Sequence, residues 1–393
     1  MAKRLAIPSK EIQLHIVNGL GSNVAARVQR LDFNTDIPST TIDQLGSAAH
    51  VGDAKDTPNV TCTFSAFDVG VELISALTNT DPDSYPSAGV NTESLSEVDI
   101  IAYIKSATND DYVKGAHMKR MAIRDFTFNF SVDGEATEDY TLVGSEKRWF
   151  SKHIQVDHFT SGTTNFTLTA TPIVLKNGNK VLSVILDNEH LVEVASSPAT
   201  GEFSVSGTTL TTYDSMVSNC VVVYQADFVG DEWTDVATDG MPAAIRGKDI
   251  PVVIVAEDIP RVQSITINGT LNSQPVKEMG NPNIVGYVSQ VPEVTGSITV
   301  LDTDTELISL LLYGVTASGT EFQPGIGCSD VVIPMEIKMY DPCDDTSIIK
   351  TVYLDGITVV GDSYTSNVNQ NATQTFNWKS TTGRCYVYSG SRG

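Results

Sequence analysis

The chain contains a version of itself. Residues 27–77 and 261–311 align without a gap at a constant offset of 234, with 17 identities in 51 columns. Random pairing of average compositions would give roughly three. A repeat of this length constrains the fold more than any local propensity, because one set of packing demands must be met twice. The identities include turn residues with special backbone requirements: Gly46 meets Gly280, Gly52 meets Gly286, and Pro58 meets Pro292. Glu72-Leu-Ile-Ser75 recurs as Glu306-Leu-Ile-Ser309. Apolar positions exchange conservatively, Leu31 for Ile265, Phe33 for Ile267 and Leu45 for Met279.

The repeat extends both ways through small insertions. Residues 10–17 match 248–255 at an offset of 238. Downstream, Asp99-Ile-Ile101 falls against Asp330-Val-Val332, Asp110-Asp111 against Asp344-Asp345, and Thr137 and Tyr140 against Thr373 and Phe376. The organisation expected is therefore a first copy over 1–160, an unrelated insert over 165–235, a linker over 236–247 and a second copy over 248–393.

Strand signals dominate each copy. Val60-Thr-Cys-Thr-Phe-Ser65 and Val294-Thr-Gly-Ser-Ile-Thr299 alternate apolar and polar residues, as does Arg124–Phe130, which sets Phe126, Phe128 and Phe130 on one face. Thr351–Val360 is expected to be the counterpart of that last strand. One helix per copy is the exception, over Val71–Leu77 and Glu306–Leu312, with Asp68 and Asp302 placed to meet its positive N-terminal end. Segments 34–58 and 268–292 read as hairpin arms between two strands. In the insert, strands are expected over Asn165–Thr171, Val181–Leu186, Glu202–Ser206 and Cys220–Tyr224, with a tight turn at Lys176–Asn179. The fold class expected is mainly β: two homologous β-sandwich domains, each with a short flanking helix, around an inserted small immunoglobulin-like β-sandwich.

Composition removes several functions. The chain has 393 residues, with 25 Lys and Arg against 48 Asp and Glu, for a net charge of −23. That balance argues against a basic groove that grips nucleic acid by its phosphates. No 18-residue apolar stretch occurs, so no membrane-spanning helix is expected, and the N-terminal residues carry no secretory signal pattern. Five cysteines, Cys62, Cys220, Cys328, Cys343 and Cys385, are scattered without a CxxC and read as reduced, packed thiols.

Catalytic signatures are missing. There is no GxxxxGK[ST] loop, no HExxH and no GxSxG. Gly19-Leu-Gly21 and Gly325-Ile-Gly327 lack a βαβ setting and read as turns. His153, Asp157 and His158 lack a third partner for a metal, and the acidic residues at 302–306 lack the glycine of a calcium loop. Asp110-Asp111 and Asp341–Asp345 read as solvated turns, and Trp149, Trp233 and Trp378 as packing residues. No enzyme activity, cofactor or metal is expected.

The order of repeated motifs, "RVQ" with Asn34 or Asn268, then Leu45-Gly46 or Met279-Gly280, then Pro58 or Pro292 entering a strand and an "ELIS" helix, resembles tail tube proteins of tailed phages and related viruses. The resemblance covers both copies and omits the insert. It implies two tube domains per chain, so that three chains supply six domains to a ring and rings stack into a tube through which viral DNA passes without specific binding. It implies self-association into homotrimeric rings and contacts with tape measure, terminator and baseplate or tip proteins, in a virion tail assembled in the host cytoplasm, with no membrane. Assembly contacts are expected at Asp68, Glu72, Leu73 and Ile74, at Asp302, Glu306, Leu307 and Ile308, and at Leu45, Gly46, Met279 and Gly280. An acidic lumen would repel duplex phosphates. The alternative is a tandem β-sandwich adhesin or receptor-binding virion protein.

Overall fold

The computed structural model describes residues 12–43, 51–68, 70–78, 90–91, 97–105, 112–161, 164–227, 244–254, 257–271, 273–279, 284–288, 290–301, 310–311, 332–368 and 370–391. Within them the protein is mainly β, in antiparallel sheets. The first repeat comprises β1 (Ile12–Asn18), β2 (Gly21–Val24), β3 (Val28–Asp36), β4 (Ser39–Ile42), β5 (Gly52–Lys55), β6 (Asn59–Phe67), α1 (Glu72–Thr78), β7 (Val90–Asn91), β8 (Val98–Lys105), β9 (Tyr112–Ser131), β10 (Thr137–Gly144) and β11 (Glu146–Phe150). One layer runs β3–β6–β10–β9, the other β2–β1–β8–β9–β11. β9 serves both layers, pairing through its first half with β8 and β11 and through its second with β10. It turns between them where Arg120 has φ 51° and where its ladder with β10 slips by one residue, a bulge that bends a strand. Alternation does the rest: Phe64, Phe128 and Tyr140 point into the core with Ile74 and Leu77 of α1, as the strand period requires.

The insert holds β12 (His153–Phe159), β13 (Asn165–Thr167), β14 (Ser183–Leu186), β15 (Glu189–His190), β16 (Val192–Glu193), β17 (Glu202–Ser206), β18 (Thr209–Thr212) and β19 (Cys220–Ala226). They form two four-stranded sheets, β12–β19–β14–β15 and β13–β18–β17–β16. The sandwich therefore starts earlier than residue 165, because β12 pairs along its whole length with β19. The expected turn is present, with Gly178 at φ 90° and its N–H donating to Leu175 O at 2.9 Å. The unbroken run Cys220-Val-Val-Val-Tyr224 also finds its reason. One face of β19 packs in the insert's own core with Phe166 and Leu210, while Val221 and Val223 pack on Val17, Ile101 and Tyr103 of the first repeat. A strand covered on both sides has no polar face to alternate.

The second repeat comprises β20 (Val252–Ile254), β21 (Glu257–Asp258), β22 (Val262–Thr270), β23 (Gln274–Lys277), β24 (Ile284–Val288), β25 (Glu293–Leu301), β26 (Ile333–Asp341), β27 (Asp344–Thr365), β28 (Thr373–Ser380) and β29 (Tyr386–Ser389). Its ladders reproduce those of the first. Val28 opposite Ala66 becomes Val262 opposite Val300, and the slip after each valine recurs. Arg27 and Arg261 both take positive φ, 55° and 63°, and each carbonyl accepts a bond from the glutamine side chain two residues on. The arms share a register too, with Ile42 opposite Gly52 and Val276 opposite Gly286.

Two alignments change. Ile100 and Met335 hold the same ladder position, opposite Met118 and Leu354, so the offset across β8 is 235 and Asp99 does not correspond to Asp330. Thr351–Val360 spans the middle of β27, mostly ahead of the true counterpart of Arg124–Phe130. The counterpart of Thr127 is Ser363, at an offset of 236, as the matching bulges opposite β10 and β28 show. The chain segments flanking β8 and β26 differ in length, and only pairing fixes the register of these strands.

Candidate assembly interface

Within the chain the repeats join edge to edge. The second half of β9 pairs antiparallel with β22, Phe130 opposite Ile265, Phe128 opposite Ile267 and Thr127 opposite Asn268. Val132 N–H donates to Gln263 O and Leu271 N–H to Arg124 O, each at 2.9 Å, which extends the ladder at both ends. Thr127 Oγ1 donates to Asn268 Oδ1 at 3.0 Å across the seam. The result is one continuous eight-stranded layer, β3–β6–β10–β9–β22–β25–β28–β27.

Behind the seam lies a buried charge cluster. Lys350 on β27 donates to Asp68 Oδ2 at 2.8 Å and to Glu138 Oε1 on β10. Its ammonium also sits 4.9 Å from the Phe128 ring centre. Tyr140 O–H donates to Glu138 Oε2 at 2.6 Å. All three charged side chains are buried. Burial opposes the charge on Lys350, yet Asp68 and Glu138 outweigh it and hold the ammonium above its usual range. Burial and then Glu138 push Asp68 up to about 8, against the pull of Lys350. A single lysine from the second repeat thus bonds two acidic side chains of the first, of which Asp68 keeps its proton at neutral pH.

Counterpart positions show what the two outer edges lack. Leu271, sealed by the seam, is 1% exposed, while its counterpart Ile37 on the β3 side is 49% exposed. Phe128 is 1% exposed and its counterpart Tyr364 on β27 is 58% exposed. Lys114, the counterpart of Lys350, lies over the Trp149 ring at 4.7 Å.

The outward face of the eight-stranded layer is covered with short hydroxyl and amide side chains, such as Thr63, Thr141, Asn129, Thr266 and Ser297. Asp32 and Asp139 share it. The nearby arginines are each paired to a carboxylate, Arg30 to Asp32 at 3.7 Å and Arg124 to Asp125 at 2.7 Å.

The assembly residues expected from sequence are divided. Asp68 does not cap α1, which begins only at Glu72. It turns inward to Lys350 instead, with Oδ1 accepting a bond from Gly70 N–H at 3.3 Å. Leu73 and Ile74 pack on the core, Glu72 is exposed, and Met279 stands fully in solvent. Asp302, Glu306, Leu307, Ile308, Leu45, Gly46 and Gly280 lie outside the described residues. Lys350 and Glu138 belong to no motif that sequence reasoning marks. Parity would have found Glu138, which shares an inward face with Tyr140 and Leu142.

His153 and His158 do not meet at a metal, because one is buried and the other exposed on opposite faces of β12. Asp157 accepts bonds from Tyr224 O–H at 2.7 Å and Thr169 N–H at 2.8 Å. No group of three potential metal ligands occurs among the described residues. Burial pushes the thiols of Cys62, Cys220 and Cys385 up to about 12.

Where the insert meets the first repeat, Tyr103 O–H donates to Ile154 O at 2.5 Å, and the imidazoles of His15 and His190 lie out of water on either side of that boundary. His15 Nε2 lies 2.9 Å from Gln13 Oε1 and Nδ1 3.2 Å from Ser22 Oγ, with its ring edge-on to Tyr103. His190 of β15 meets Ser183 Oγ at 3.2 Å. Burial lowers both from 6.5 to about 4, assisted by His153 in the case of His15. A pKa depressed by folding gives stability that is full above 6.5 and lost as pH falls through 4. Each histidine contributes up to about 3 kcal/mol over that window. Amides of β19 should therefore exchange hydrogen far faster at pH 4 than at pH 7 after correction for intrinsic rates. Equal protection at both would contradict neutral buried rings.

No family model matches the chain, and no curated protein matches it. Among solved structures, a chain of the anti-feeding prophage baseplate, determined by cryo-electron microscopy with six-fold symmetrisation, is similar with a TM-score of 0.27 and 5% identity, over 38% of this chain and 97% of that one. A chain of the anti-feeding prophage cap, a tube terminating cap, has a TM-score of 0.25 and 14% identity, over 38% of this chain and 95% of that one. Likeness of this size carries no argument about function, which rests on the interface itself.

Proposed function

We propose that this protein is a structural component of a viral tail tube, in which three chains close a ring of six sandwich domains and rings stack around a channel that passes DNA. The observation that carries the reading is the internal seam together with two unused edges that occupy the same positions in the repeat. Transposing the seam by the repeat offsets sets β27 of one chain against β3 of the next. Tyr364 then faces Phe33, Ser363 faces Asn34, and Ile37 N–H reaches Val360 O. Asn34 keeps the amide of Asn268, and Ser363 keeps the hydroxyl of Thr127, so the side-chain bond across the seam can form again. Edges that would invite aggregation in a monomer are consumed by closed symmetry.

In this reading the repeats are the two tube domains of a single chain. The hydroxyl-rich face lines the channel: Arg30 and Arg124 beside it are held by carboxylates, and Asp32 and Asp139 repel the phosphates of duplex DNA. The insert stands on the layer remote from that face. Other tail proteins would meet the ends of the stack, in a virion tail assembled in the host cytoplasm, and no catalytic step is assigned.

The register is testable. In a Cys343→Ser background, Asn34→Cys with Ser363→Cys should give disulfide-linked dimers and trimers on oxidation, since directly opposed residues bring Cβ atoms to roughly 4.5–5.5 Å. Electron micrographs should show rings with three insert bumps. Compact monomers and no cross-link would overturn the reading and favour a tandem-sandwich adhesin.

A further inference from the structure

The two hairpin arms have one register and different surroundings. The arm of β23 and β24 crosses the end of β10 in the first repeat. Ile284 N–H donates to Ser145 Oγ at 3.0 Å and Tyr287 O–H donates to Val143 O at 3.1 Å. Gly286 sits at the crossing, where an added Cβ would lie 3.5 Å from Arg120 Nη2 and 3.6 Å from Glu97 Oε1. The arm of β4 and β5 is exposed along both strands, and a Cβ added at its counterpart Gly52 meets nothing within 4 Å. Asp56, just beyond β5, lies 3.7 Å from Lys277 of the other arm, so the two arms project from the same end of the sheet.

We propose that the arm of β4 and β5 docks on Lys379–Thr381 of a second copy of this chain, with Asp53 facing Lys379. The landing strip follows from the repeat. Val143 corresponds to Lys379 and Ser145 to Thr381, while Tyr287 corresponds to Asp53. A neutral hydroxyl–carbonyl contact inside the chain is thereby replaced by opposite charges between chains. Both are exposed on the free molecule. Thr381 Oγ1 donates to Gly356 O at 3.3 Å and keeps lone pairs to accept an arm N–H, as Ser145 Oγ does. Contacts between chains must form after folding, and a charge pair both steers that encounter and rejects a shifted register.

This inference rests on the ring reading, which supplies the second copy at the correct edge. Its test uses the full chain at low salt, with assembly followed by sedimentation and electron microscopy. Asp53→Lys alone and Lys379→Asp alone should each raise the concentration for half-assembly roughly threefold to tenfold, and the double reversal should return it to within about twofold of wild type. Both penalties should shrink in high salt. Single variants that assemble like wild type, or a double reversal no better than either single, would overturn the contact while the disulfide engineered between positions 34 and 363 still forms. Loss of that cross-link would overturn the ring reading and the arm contact together.

Discussion

Lys350→Met should destabilise the folded chain by roughly 3–5 kcal/mol, the cost of leaving a buried acidic cluster without its cation. Methionine keeps the volume and the apolar stem, so the loss reports charge and hydrogen bonding rather than a cavity. Chemical denaturation at neutral pH measures it. The triple variant Lys350→Met, Asp68→Asn, Glu138→Gln should recover most of the loss, because the amide oxygen introduced at position 138 can still accept the Tyr140 hydroxyl. A second signature comes from pH. Folding raises Asp68 from 3.8 to about 8, so its contribution is fully present below 3.8 and is lost as pH rises through 8. Asp68→Asn should flatten that slope. If Lys350→Met costs under about 1 kcal/mol, the seam is held by sheet pairing and apolar contact alone.

Thr35→Pro should abolish ring formation and leave the monomer folded. Leu271 N–H donates across the internal seam, so alternate residues of β22 point their amides at β9, and by the repeat offset the amides of residues 31, 33, 35 and 37 point outward from β3. Proline at 35 removes one of those donors and sets a ring in the path of the incoming strand. An edge strand tolerates it because the lost N–H faced solvent. The Thr35 hydroxyl has no hydrogen-bond partner, so its removal breaks nothing else. Sedimentation should show monomer at concentrations at least about tenfold above those where wild type assembles. Asn34→Pro is the control, since its amide faces β6 and its loss should damage the fold itself. Tubes formed by Thr35→Pro would refute closure through β3.

How far the residues alone disclosed this molecule depends on range. The repeat established the equivalence of β3 with β22 and of the two arms, because Arg27 marks a turn whose left-handed backbone survives divergence and the gapless run on through Gly52 and Pro58 keeps the register. It failed at β8, where the flanking stretches of sequence differ in length and no identity anchors the alignment. Lys350 stayed hidden because its partners lie 212 and 282 residues away, and a lysine within an apolar strand ordinarily reads as one that reaches back to solvent. Asp68 looked like a cap since it precedes a helix by a few residues. Its chemistry is set by what the second repeat brings to it. The valine run of β19 read only as a strand of the insert; that both its faces are covered, one of them by the first repeat, is a fact of packing.

In the proposed ring, the seam between β9 and β22 also alters how ring number depends on concentration. A ring built from six separate domains would vary with the sixth power of free protein at equilibrium, and one built from three linked pairs varies with the third. A tenfold dilution then costs about a thousandfold in rings rather than about a millionfold. Three of the six seams are already made when a chain leaves the ribosome and folds, before any two molecules have met.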